Sequence, residues 1–70
     1  MNELDLHGVR HPDVDRIVEN YVLMNATPIN IITGRSEKMI ELATDVLKKH
    51  RFKYYIRCHN AGMITVLGGE

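Results

Sequence analysis

Twice in this chain a short apolar stretch runs into a glycine and then into apolar residues at helical spacing. Leu4-Asp5-Leu6-His7-Gly8 precedes Val14, Ile17, Val18 and Tyr21, and Ile29-Asn30-Ile31-Ile32-Thr33-Gly34 precedes Met39, Ile40, Ala43, Val46 and Leu47. Each stripe needs an apolar surface to lie on, and the strand beside it supplies one, so the two units in succession predict right-handed crossovers with both helices on one face of a sheet. His11-Pro12-Asp13 reads as the first helix entry, with Pro12 suited to the first turn and an early acid at the positive end of the dipole. Val22 or Met24 continues that stripe, and the helix is expected to end near Asn25-Ala26-Thr27-Pro28. The second helix is expected from about Glu37 to His50. Beyond it Phe52, Tyr54 and Ile56 alternate with Lys53, Tyr55 and Arg57, Asn60-Ala61-Gly62 supplies a tight turn, and Met63 to Leu67 returns as a partner strand.

The expectation is therefore an α/β fold, a two-layer βαβαββ sandwich with a four-stranded mixed sheet and two helices on one face. Val14, Ile17, Val18, Ile31, Met39, Ala43, Val46, Leu47, Ile56 and Val66 should be largely buried. The other sheet face would have no third layer.

Seventy residues make a single domain, 1–70, which buries only ~60% of the surface its unfolded chain exposes. Cys58 is the single cysteine, which excludes an intrachain disulfide and suits a reducing compartment. No apolar run approaches ~18 residues and Met1-Asn2-Glu3 does not begin a signal peptide, so a cytoplasmic chain with no membrane partner is expected. Formal net charge is zero, which argues against the strong, purely electrostatic nucleic-acid binding of a very basic domain. The charges are nevertheless segregated: residues 1–34 hold five acids against Arg10 and Arg16, whereas 35–70 hold seven bases against Glu37, Glu41, Asp45 and Glu70. Lys48 and Lys49 complement the negative end of the second helix.

Two features carry chemistry. Strand alternation sends Asp5 and His7 to one face and Leu4 and Leu6 to the other, setting a carboxylate beside an imidazole just before Gly8. Alternation alone equally describes an ordinary solvated face. Thr33-Gly34-Arg35-Ser36 leads a strand into a helix N-terminus, where free N–H groups and the helix dipole favour an anion; Ser36 suits the N-cap and Arg35 adds a fixed charge. On the strand after the second helix, Tyr55 interleaved with Lys53 and Arg57 is the residue pattern that stacks bases and pairs phosphates.

Together the Leu4-Asp5-Leu6-His7-Gly8 start and the later Thr33-Gly34-Arg35 loop resemble the Smr (small MutS-related) domain, over nearly the whole chain from Leu4 to Leu67. The first motif matches at all five residues; in the second, Ser36 stands where the family has its second glycine, and Met39-Ile40-Glu41 replaces its usual Leu-Arg step. The resemblance implies a layout similar to the C-terminal domain of bacterial translation initiation factor three. It also implies a nucleic-acid-binding domain with endonuclease activity on RNA or structured DNA, RNA ahead of DNA. Asp5 and His7 would be catalytic, His7 as general base or acid and Asp5 as its orienting group. Gly8, Thr33, Gly34, Arg35 and Ser36 would hold a phosphate, with Lys53 and Arg57 on the flanking backbone.

The rival reading is a non-catalytic module that docks on RNA or the ribosome, because Ser36 keeps a phosphate further from the backbone than glycine would. A divalent metal is the third alternative. His7 and His11 are four apart, yet Gly8 and Pro12 argue against a continuous helix through both, so a ligand set would need Asp5, His7 and His59 to converge. Cys58 has no partner base in the sequence. Cofactor requirement and oligomeric state are left open.

Overall fold

The structure, a computed structural model, describes residues 2–57 and 62–69, with Arg57 described in its backbone alone. The elements follow in the order β1 (Asn2–Asp5), α1 (His11–Met24), β2 (Ile29–Ile32), α2 (Glu37–Lys49), β3 (Lys53–Arg57) and β4 (Met63–Gly68). Both helix entries have local causes. Pro12 lies in the first turn of α1, where its missing N–H would have had no partner. Ser36 caps α2 by accepting the Met39 amide at 3.2 Å.

The four strands form one sheet in the order β1-β2-β4-β3. β1 and β2 pair in parallel, with Leu4 beside Ile31 and Asp5 beside Ile32. β4 is antiparallel to both of its neighbours, so β2 and β3 run the same way with β4 inserted between them. This is the expected mixed sheet with two helices. Because β1 and β2 are parallel, the turns that follow them, at Gly8 and Gly34, leave the sheet at one edge.

One apolar core joins the layers: Leu6 from the end of β1, Ile29 and Ile31 from β2, Ile64 and Val66 from β4, Val14, Val18 and Val22 from α1, and Met39, Ala43, Val46 and Leu47 from α2. Both helices thus pack on the face that Ile31 and Ile64 share. Of the residues expected inside, Ile17 is only half-buried and Ile56 is 42% exposed. Ile56 does point to the helix side, since it pairs with buried Ile64, but β3 is the outermost strand and leaves it at the rim. Val22, not Met24, continues the α1 stripe: Val22 is 4% exposed and Met24 82%.

α2 closes with the Phe52 amide donating to the Leu47 carbonyl at 2.8 Å and the Arg51 amide to Lys48 at 3.1 Å, the bond pattern of a Schellman motif. The residue in the left-handed position is Arg51, at φ 61°, where glycine is the usual occupant. The two helices are also tied by Glu19 and His50, whose Oε2 and Nε2 lie 2.6 Å apart. On the outer side of β1, the Tyr21 hydroxyl donates to the Glu3 carbonyl at 2.9 Å and so occupies an acceptor that an edge strand leaves unpaired. No helix among the described residues is long and apolar enough to cross a membrane.

Candidate nucleic-acid interface

The first loop is a tight turn. Val9 donates to the Leu6 carbonyl at 3.0 Å and Gly8 takes φ 78°, so the chain reverses over Leu6-His7-Gly8-Val9 while Leu6 stays buried. His7 therefore lies beyond the end of β1, and strand alternation does not govern its side chain. What holds Asp5 to His7 is the main chain: the His7 amide donates to Asp5 Oδ1 at 2.9 Å. The ring itself is further off, with Nδ1 3.7 Å from Asp5 Oδ1, and both side chains are well exposed. Asp5 thus secures the turn first and stands within ion-pairing range of the imidazole second.

The second loop is built against the start of β4. Thr33 and Gly34 both donate their amides to the Gly62 carbonyl, at 2.6 and 3.2 Å. A Cβ on Gly62 would sit 2.5–2.7 Å from Gly34 backbone atoms, so only glycine lets the two strands' loops approach this closely. Gly34, at φ 70°, turns the chain toward α2. Thr33 is buried, its hydroxyl donating to the Gly34 carbonyl at 3.0 Å.

These two loops enclose a cleft of about 280 Å³, lined by Leu6, His7, Gly8, Thr33, Gly34, Arg35, Ser36 and Met39. The predicted residues Gly8, Thr33, Gly34, Arg35 and Ser36 thus meet His7 in one depression. The amides that could face an anion are not those of Thr33 and Gly34, which Gly62 holds, but those of Arg35, Ser36, Glu37 and Lys38. Among the described residues these four have no acceptor. Ser36 caps α2 and Glu37 and Lys38 open its first turn, where the dipole is positive, with Arg35 just ahead of the cap. Arg35 is exposed beside them.

Lys53 is not part of this grouping. It pairs with Gly68, whereas Arg57 pairs with Met63 at the end of the sheet that Ile32 also occupies; four residues of strand, ~13 Å, separate the two. Arg57 has its backbone at the cleft end, two strands away from β2. Lys48 and Lys49 lie in the last turn of α2, at the opposite pole of the helix from the cleft. Cys58 and His59 lie outside the described residues, and no group of three metal-ligating side chains occurs among the described ones. Sequence reasoning missed Gly62 as a site residue, reading it only as part of a turn.

No protein-family model matches the sequence. No curated protein and no solved structure matches it either.

Proposed function

We propose that the chain is an Smr-like domain that binds the backbone of a nucleic acid at the cleft between the Gly8 and Gly34 loops and cleaves RNA there, with His7 as the proton-transfer group. The observation that carries this reading is the convergence, in one cleft, of exposed His7, Arg35 and the Ser36 cap at the N-terminal end of α2. A phosphate in that cleft would accept from the amides of the first α2 turn and pair with Arg35, contacts that also stabilise the extra charge of a pentacoordinate phosphorus. His7 would remove the proton of a 2′-hydroxyl, the 2′-oxygen would bond to phosphorus as the P–O5′ bond breaks, and the 5′-oxygen would leave as a hydroxyl protonated by water, giving a 2′,3′-cyclic phosphate. Asp5 would keep the His7 main chain in place by accepting its amide. This chemistry requires RNA, since DNA lacks the 2′-hydroxyl.

The second reading, a module that binds RNA or a ribosomal surface without cutting it, is favoured by one specific feature. The Asp5 carboxylate is directed to the His7 amide, not to its ring, and a hydrogen-bonded carboxylate–imidazole pair is what orients a general base. The two readings differ in a cleavage assay on single-stranded and structured RNA and DNA, with and without EDTA. Cleavage of RNA that survives EDTA and disappears in His7→Ala, while binding persists, supports the nuclease. Binding that needs Arg35 without cleavage of any substrate supports the module.

A further inference from the structure

The loop that brings His7 and Gly8 to the cleft does not end there. It continues through Val9, Arg10, His11 and Pro12, and these four line a second, shallow depression of about 400 Å³. The turn that carries the Val9 amide back to the Leu6 carbonyl, at 3.0 Å, holds the Cα atoms of Leu6 and Val9 within ~7 Å. The second depression therefore begins where the cleft stops, at the same end of the sheet.

What this depression offers is a cation, not a cradle of amides. Pro12 has no N–H to give, and the Asp13 amide already donates to the Arg10 carbonyl at 2.9 Å. Arg10 is exposed and occupies the N-cap position of α1 with no side-chain capping bond. Among the described residues, neither its guanidinium nor the His11 ring has a hydrogen-bond or ion-pair partner. Its neighbours differ: Arg16 stands 3.7 Å from Asp13, and Lys38 stands 3.5 Å from Glu41. The carboxylates closest to Arg10 in the chain are engaged, Asp5 by the His7 amide and Asp13 by Arg16. Arg10 and Arg35, one at each depression, have no such acid among the described residues.

We infer that Arg10 holds a second phosphate of the strand whose first phosphate enters the cleft, so that the backbone runs from the start of α2 past His7 to the start of α1. The inference rests on the phosphate reading of the cleft. A nucleic-acid strand carries its charges in a row, and two fixed cations on either side of His7 set the path of that row where one would only anchor it. Arginine suits the place because its planar fork takes two phosphate oxygens at once, and the His11 ring adds an N–H donor. The effect is on register: with the flanking phosphate held, the 2′-hydroxyl beside the first phosphate stays within reach of His7. A ligand with a single phosphate fills the cleft and leaves Arg10 idle.

NMR titrations of the full chain over a range of salt test this, with uridine 3′-monophosphate and with a short 2′-O-methyl oligouridylate, which cannot be cut. Arg10→Ala is expected to weaken the oligonucleotide by about two- to tenfold, to lower its salt slope by about 0.7–1, and to leave the mononucleotide unchanged. Arg35→Ala is expected to weaken both ligands, and Lys48→Ala neither. Because the Arg10 side chain makes no cap bond, Arg10→Ala should fold as the parent does, with its amide spectrum unchanged away from the loop. Parental oligonucleotide binding in Arg10→Ala, with Arg35→Ala still weakened, overturns the second subsite and leaves the cleft reading standing. Equal loss of both ligands in Arg10→Ala, or a loss that Lys48→Ala reproduces, overturns it as well. Arg35→Ala that weakens neither ligand overturns the cleft reading, and the subsite falls with it.

Discussion

Replacing Gly62 with alanine perturbs the cleft from a position that never touches its solvent side. Two costs add. Alanine at φ 97° leaves the region that L-residues tolerate, at about 1–2 kcal/mol. Its Cβ would also stand 2.5 Å from the Gly34 carbonyl oxygen and 2.7 Å from the Gly34 Cα, and backbone atoms can yield only by stretching the bonds from Thr33 and Gly34 to the Gly62 carbonyl. Losing those two bonds costs about 0.5–1.5 kcal/mol each. The sum, about 3 kcal/mol, is a large fraction of the roughly 3.5–10 kcal/mol expected of a domain of this length. Gly34→Ala is the control, because a Cβ there meets nothing within 4 Å and only the φ of 70° is unfavourable; its cost is about 1 kcal/mol, lowered further by the smaller entropy of the unfolded alanine chain. In urea, with a slope near 1 kcal/mol/M for a small domain, Gly62→Ala should lower the midpoint by about 3 M and Gly34→Ala by about 1 M or less. Equal shifts for the two variants would refute the argument that backbone contact between the loops shapes the cleft.

Other substitutions test the frame around it. Arg51→Gly relieves a left-handed residue at the end of α2 and should raise stability by about 0.5–1 kcal/mol in the same urea assay. Ser36→Ala removes the acceptor for the Met39 amide and should cost about 1 kcal/mol, whereas Ser36→Gly should cost only a few tenths while opening the loop to a phosphate. A double-mutant cycle on Glu19 and His50, half-buried and in contact between the helices, should return a coupling of about 0.5–1.5 kcal/mol near neutral pH; a coupling near zero would mean that the contact adds nothing.

Most of the frame is legible in the residues because its causes are local. The stripes led by Val14 and Met39 have one buried solution each, and the turn glycines mark where strands end. The parallel pairing of β1 and β2, which brings His7 and Gly34 to one edge, follows from the crossover between them. What escapes is set by contacts distant in sequence. Ile56 alternates correctly but sits on the outermost strand, and nothing near it in the chain tells how far the helices reach. Lys53 and Arg57 look like one basic face until the register with β4 puts them at opposite ends of the sheet. His7 reads as a strand residue on the Asp5 face because alternation carries no signal for the residue at which the ladder stops. The contact between Gly62 and Gly34 couples positions 28 apart through backbone alone, and no side-chain pattern announces it. The consequence for the proposed site is concrete: the Thr33 and Gly34 amides are already bonded to Gly62, and the amides left to face an anion begin at Arg35, just ahead of α2.

That shift supplies the most direct measurement of the central claim, an amide titration by ¹H–¹⁵N NMR with a short single-stranded RNA and, separately, with inorganic phosphate. The account predicts that both ligands move the resonances of Arg35, Ser36, Glu37 and Lys38, that RNA also moves His7 and Gly8, and that Arg35→Ala weakens the RNA response and lowers its salt slope by about one. Shifts confined to β3 and β4, or equal weakening by Arg35→Ala and Lys48→Ala, would contradict it, because the phosphate would then be held by a diffuse cationic surface and not by the cleft at the start of α2.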